Sequence, residues 1–169
     1  MYSVDFLREI MKSSPESSHA FMKASGFTLI SYFLENISTS HLTPSFSDAL
    51  TQLYPNQNAS FQDGLIEHIF FNFKIFGQGS IDFQLYHLER LNFLLADNTS
   101  KIRSLIGTSR IFLALVTHFE YKTKSPSQTF SEANLFIRKV RSILFDTIQR
   151  AMSSGEGPLP EEITDLVGV

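Results

Sequence analysis

Apolar residues recur along the chain at intervals of three and four, and turn chemistry interrupts that rhythm at short distances. Residues 3–12 form a first short helix. Ser14-Pro15 then supplies an N-cap with proline at the first helical position, where its missing N–H costs nothing. The second helix runs to about Ala24, and Gly26 breaks it or lets two helices pack closely. Residues 27–37 continue as helix with Leu29, Ile30, Phe33 and Leu34 on one side. Thr43-Pro44 repeats the cap-plus-proline device and starts a helix through Ala49, Leu50 and Leu53, followed by a polar loop from Pro55 to Ala59.

From Phe61 to Phe76, Leu65, Ile66, Ile69, Phe70 and Phe73 follow helical spacing. Phe71 and Ile75 fall off that stripe, which predicts a helix buried on more than one side. Gly77 and Gly79 end it, and Ser80 caps a helix presenting Ile81, Leu85, Leu88, Leu91, Asn92 and Leu95 on one face. Asn98 opens a short basic helix that Gly107 closes, and 109–121 follows with Phe112, Leu115, Val116 and Phe119. Beyond a loop around Pro126, Thr129-x-x-Glu132 reads as a capping box. The longest helix then carries Phe136, Val140, Ile143, Leu144, Thr147 and Ile148 to about Ser153. Gly155 to Pro158 is a break, and Pro160-Glu161-Glu162 begins a last short helix.

No segment alternates apolar and polar with period two, so no sheet is predicted. Helix pairs return at roughly 35–45 residues, the size of an armadillo or HEAT unit. The expected fold is therefore all-α, an armadillo/HEAT-like α-solenoid of about four helical hairpins, with residues 1–169 as a single domain. The last helix lacks a polar capping unit, which predicts a fragment of a much larger protein.

Composition supports a packed helical core. The chain holds seventeen phenylalanines but no cysteine and no tryptophan. Rings at helical spacing belong to packing layers, because so many on the surface would make patches that soluble monomers avoid. The net charge of −3 disfavours generic nucleic-acid binding, which needs a basic surface. Lack of cysteine removes disulfides, thiolate catalysis and cysteine–zinc sites together. The opening MYSVDFLREI carries Asp5, Arg8 and Glu9, unlike a signal-peptide apolar region. The apolar run Ile111 to Val116 falls far short of the ~18 residues a spanning helix needs. Asn-x-Ser/Thr sequons at Asn36, Asn58 and Asn98 are expected to be chance occurrences.

Candidate chemistry is sparse. Histidines at 19, 41, 68, 87 and 118 show no HExxH and no i, i+4 pair, so no metal site is expected. Glu67-His68 and His87 with Glu89 do not define one either. Gly77-x-Gly79 lacks the third glycine and the preceding strand of a dinucleotide loop. No serine stands in a context that pairs it with a base. The carboxylate pairs Asp5/Glu9 and Glu161/Glu162 read as solvated helix starts. Neither a catalytic residue nor a cofactor is expected. Arg138, Lys139 and Arg141 form a basic cluster on the polar side of the longest helix, with Lys101, Arg103 and Arg110 a second group. These are the candidate contacts for an acidic partner or anionic lipid headgroups, against the plainer reading of a solvated face.

The stretch EHIFFNFKIFGQGSIDFQLYHLERLNFLL, residues 67–95, resembles the armadillo-like region of the BEACH protein family, which includes neurobeachin and the lysosomal trafficking regulator. The shared pattern is a buried helix ending in an Asn-Phe-x-x-aromatic element, a short joint, then a helix with Gln and regularly spaced leucines. Asn72, Phe73, Phe76 and Gln84 match it, with Phe76 standing where tryptophan is expected. GFTLISYFLENISTSHLTP, residues 26–44, is similar to the preceding helix, and the likeness covers roughly 15–153. The resemblance implies a non-catalytic scaffold segment of a large cytoplasmic protein concerned with vesicle and lysosome-related trafficking. Its parent would carry BEACH, PH-like and WD-repeat modules. Protein partners and peripheral association with endosomal or lysosomal membranes are the corresponding expectations.

Overall fold

The computed structural model describes residues 15–55, 57–96, 98–119, 132–154, 157, 159, 160, 162 and 164. The expected helix at 3–12, the Ser14 cap, the Asp5/Glu9 pair and the loop around Pro126 with Thr129 lie outside them. Every regular element among the described residues is helical. The chain divides into two compact units, Met1–Leu91 and Asn92–Val169.

In the first unit, α1 (Pro15–Lys23) and α2 (Gly26–Glu35) meet at Ser25, which takes a left-handed conformation (φ 56°). A 3₁₀ turn at Thr39–His41 leads to α3 (Pro44–Thr51), where the Thr43 hydroxyl accepts the Phe46 N–H as an N-cap. Asn58 does the same for Phe61 at the start of α4 (Ala59–Leu65). The run expected to be one helix through Phe76 is broken in two. A π-helical turn at Ile66–Phe70 follows α4, the backbone leaves the helix at Phe71–Asn72, and α5 (Phe73–Phe76) resumes. A π-turn takes up a surplus residue. Phe70, Phe71 and Phe73 all lie buried, although a straight α-helix would spread them over an arc of about 160°. Burial on more than one side holds; continuity does not.

Two predicted faces turn out differently. On α2, Phe27 is the buried ring, whereas Leu29 and Phe33 are 55% and 69% exposed and Tyr32 is 65% exposed. On α6 (Ile81–Leu94) the core takes Phe83, His87, Leu88 and Leu91, and leaves Ile81 exposed. Periodicity locates a stripe but not its partner: the buried side of α6 runs through Phe83, His87 and Leu91, about 200° round the helix from Ile81 at its start. Ser80 caps α6 as expected, accepting the Phe83 N–H.

Gly64 explains how α4 approaches α2. A Cβ there would stand 2.3 Å from the Phe27 ring, so only hydrogen fits. Phe27 packs in turn on Phe61 (ring centroids 4.9 Å apart) and edge-on to Phe21 (5.0 Å).

In the second unit, α7 (Thr99–Leu105) and α8 (Thr108–Thr117) are separated by Gly107, whose φ of 73° suits glycine alone. Both pack on α9 (Glu132–Ser153). Ile102, Ile111, Phe112, Leu115 and Phe119 meet Ile137, Val140, Leu144, Ile148 and Ala151 in its core. Val116, expected inside, is exposed. Among the described residues no helix is long and apolar enough to cross a membrane.

The Gly64–Phe27 contact yields a test. Gly64→Ala should lower unfolding stability by about 1–3 kcal/mol through overpacking. Adding Phe27→Leu should return part of that loss in a double-mutant cycle read from urea midpoints. A Gly64→Ala protein as stable as the parent would contradict the packing described.

Candidate functional site

The helix break at Phe70–Asn72 concentrates the polar chemistry of the first unit. Asn72 is nearly buried, and its side chain makes three bonds. Its Oδ1 accepts the Lys74 N–H at 3.1 Å, capping α5, while Nδ2 donates to Ser31 Oγ (2.7 Å) and Glu35 Oε1 (2.8 Å) on α2. Gln78 adds a second tie, its Nε2 donating to the carbonyls of Glu35 (3.0 Å) and Lys74 (2.7 Å). Gln84 reaches back from α6 to the glycine joint, donating to the carbonyls of Gly79 (2.8 Å) and Gly77 (3.3 Å). Phe73 and Phe76 are buried rings. The four residues that carried the family resemblance thus cap, close and fill one helical corner.

His87 lies behind that corner with no exposed surface. Its ring stacks on Phe76 with centroids 3.6 Å apart. Nε2 lies 3.2 Å from the Phe70 carbonyl, which can only accept, so Nε2 carries the proton. Nδ1 then accepts from the Ser47 hydroxyl at 2.8 Å. Burial lowers the His87 pKa to about 3, partly opposed by the Phe70 carbonyl, and the ring is neutral. This pairing corrects the expectation that no serine meets a base. The partners stand forty positions apart on α3 and α6, so no local motif announces them. Ser47 is as fully buried as His87, and no substrate reaches either atom. The pair is a structural bond.

Asp48 joins α3 to α6 nearer the surface. Arg90 donates to its Oδ1 through Nη2 (2.7 Å) and Nε (2.9 Å), and the Tyr86 hydroxyl donates to the same carboxylate at 2.8 Å. Arg90 and Tyr86 hold the Asp48 pKa below its ordinary value, and the carboxylate holds those of Tyr86 and Arg90 above theirs.

In the second unit Arg103, expected in a surface cluster, is drawn into a clamp. Nε and Nη2 grip Glu162 at 2.9 and 2.6 Å, Nη1 donates to the Ser154 carbonyl (2.9 Å), and Nη2 also donates to that of Gly157 (2.7 Å). Glu162 accepts the Leu159 N–H at 2.8 Å, the carboxylate half of a capping box around Pro160. The Arg103 guanidinium first, and the Leu159 N–H with it, lower the Glu162 pKa. Glu162 is buried, not a solvated helix start.

The candidate contacts Arg138, Lys139 and Arg141 do not share one face. At about 100° per residue, Arg138 and Arg141 lie in line with Phe145, and Lys139 points well away. Arg141 donates to the carbonyls of Leu115 (3.2 Å) and Phe119 (3.0 Å) at the end of α8, and its guanidinium lies 5.8 Å from the Phe145 ring centre. Arg138 and Lys139 are exposed, as is Arg110, while Lys101 is half-buried. Among the described residues no group of three or more His, Asp or Glu side chains can hold a metal ion. His19, His41 and His118 lie exposed.

With this geometry in hand, comparison with known proteins is specific. The family model described as "Neurobeachin/BDCP, DUF4704 alpha solenoid region" matches residues 3–168. No curated protein and no solved structure matches the chain. The BEACH-family resemblance read from residues 67–95 and the all-α solenoid both stand on that match.

Two measurements probe the buried polar groups. Native His87 resists protonation until about pH 3, whereas the unfolded chain takes the proton near 6.5. The unfolded state therefore binds more protons throughout that window, and stability falls as the pH drops from 6.5 toward 3. The loss from this group should reach about 2 kcal/mol by pH 5. In His87→Phe that part of the slope should vanish, though the variant is weaker at neutral pH with Ser47 and the Phe70 carbonyl left unpaired. An unchanged slope in denaturant titrations would exclude His87 as its source. Separately, Arg103→Met strands the Glu162 carboxylate and should cost about 3 kcal/mol, with the double variant Arg103→Met/Glu162→Leu recovering much of it.

Proposed function

Because the chain belongs to the Neurobeachin/BDCP DUF4704 alpha-solenoid family, we propose that it is a non-catalytic scaffold segment of a BEACH-type protein acting in vesicle and lysosome-related membrane trafficking. One observation within the chain carries the scaffold reading. Its strongest polar arrangements, at Asn72, His87 and Arg103, are spent on joining helices, whereas large apolar side chains stand outward. Leu29, Tyr32 and Phe33 on α2, Leu113 and Val116 on α8, and Phe145 on α9 are all exposed. Rigid helices that display apolar side chains offer contact area to partners at low ordering cost. The work assigned to such a segment is to hold proteins in place at the cytoplasmic face of endosomal or lysosomal membranes.

Proximity labelling from the chain in cells tests this reading. Enrichment of vesicle- or lysosome-associated proteins over an unrelated helical control is the expected outcome. A profile without them removes the trafficking role.

A second reading, as a module for anionic lipids or phosphoinositides, draws on the exposure of Arg138 and Lys139. Co-sedimentation with phosphatidylserine vesicles should then fall in Arg138→Glu/Lys139→Glu. Equal sedimentation of both proteins, or none of either, eliminates lipid binding as the role of these residues.

A further inference from the structure

An apolar groove of about 440 Å³ opens on the second unit, lined by Phe112 of α8, by Phe145, Ile148, Gln149 and Met152 of α9, and at its end by Ser153 and Gly157. None of these lining residues is charged. Phe112 and Phe145 form its wall edge to face, 6.1 Å apart at 68°. Phe145 remains 44% exposed although it touches two neighbours. Along α9 the positions 138, 141, 145, 149 and 152 follow one another by three or four residues and share one side. The apolar groove therefore continues into a cationic end, where Arg141 flanks the Phe145 ring and exposed Arg138 lies one further turn along. From Arg138 to Met152 the surface runs about 21 Å, the length of a four-turn helix.

We infer that this face of α9 binds an acidic amphipathic segment of a partner protein, a bulky apolar side chain entering between Phe112, Phe145 and Met152 while a carboxylate meets Arg138. Charge decides the class of occupant. A chain with net charge −3 repels acidic partners in general, so an acidic segment is drawn to a place where positive groups border an uncharged groove. Arg141 contributes through its field and its hold on the Phe145 ring, since its Nη1 is committed to the carbonyls of Leu115 and Phe119. A flat anionic membrane matches the surface less well. Lys139 points off this side, and the cations sit at one end of a concave apolar slot rather than across a plane. The inference rests on the scaffold reading and specifies one of its contact surfaces.

Panning a random peptide library against the intact chain tests it. Enriched peptides should pair Asp or Glu with Leu, Phe or Trp at helical spacing. Arg138→Glu and Phe145→Ser each alter an exposed side chain, and circular dichroism of each variant is the check that it folds. Each should weaken a representative peptide by about tenfold. The same peptide with Lys in place of its acidic residue should regain binding to Arg138→Glu, a charge swap that general destabilisation cannot produce. Enriched peptides that lack carboxylates, or that bind both variants as they bind the parent, overturn the groove assignment and leave the scaffold reading to the proximity data. Absence of enrichment overturns it as well. So does Arg138-dependent sedimentation with phosphatidylserine vesicles when no peptide responds to the substitution.

Discussion

A helix that stops inside a hydrophobic core leaves backbone groups that water cannot reach, and each must find a side chain. The first unit meets that demand at Phe70–Asn72. His87 takes up the Phe70 carbonyl, and Asn72 caps the next turn while fastening it to Ser31 and Glu35. Ser47 secures the other edge of the imidazole, and Phe76 covers its face. Three helices are thereby tied to one corner by bonds whose geometry admits a single arrangement. Phenylalanine packing supplies bulk cohesion, but rings alone would tolerate several registers. The polar corner selects one.

The same economy accounts for the plainness of the chain's chemistry. A serine–histidine pair, a carboxylate under an arginine and a bidentate ion pair are present, and in another setting each would suggest catalysis. Here burial or mutual saturation retires them. Ser47 and His87 are sealed, Asp48 is satisfied by Arg90 and Tyr86, and Glu162 by Arg103 and the Leu159 amide. Perturbed ionisation follows from structure in each case: burial lowers the His87 pKa, and the bonds from Arg90 and Arg103 lower those of Asp48 and Glu162.

Much of the architecture was legible in the residues. Thr43, Asn58 and Ser80 begin helices because a short polar side chain can replace a missing intrahelical partner; Thr43 and Ser80 are legible in the sequence, whereas Asn58 sits in a stretch that reads as polar loop. Gly107 ends α7, and the long helix closes at Ser153 where expected. The Asn72, Phe73, Phe76 and Gln84 pattern led to the family. What stayed hidden depends on contacts distant in sequence. Apolar spacing marks Leu29 and Phe33 as a stripe, yet whether anything covers a stripe is a tertiary matter. Glu162 looked solvated because Arg103 stands fifty-nine positions away. The break at Phe71–Asn72 is hard to read because apolar residues flank it on both sides, and the π-turn alternates buried Ile66, Ile69 and Phe70 with the more exposed Glu67 and His68 as an ordinary helix would.

That π-turn at Ile66–Phe70 has a bearing on how relatives should be aligned. By holding one residue more than an α-turn needs, it resets the angular phase of everything downstream. With the break at Phe71–Asn72 following it, a count from Phe61 in steps of 3.6 loses its frame before it reaches Ile75 and Phe76. A repeat search that assumes constant period slips out of frame at this point. Internal symmetry in such chains is better sought by superposing the segments on either side of the turn separately.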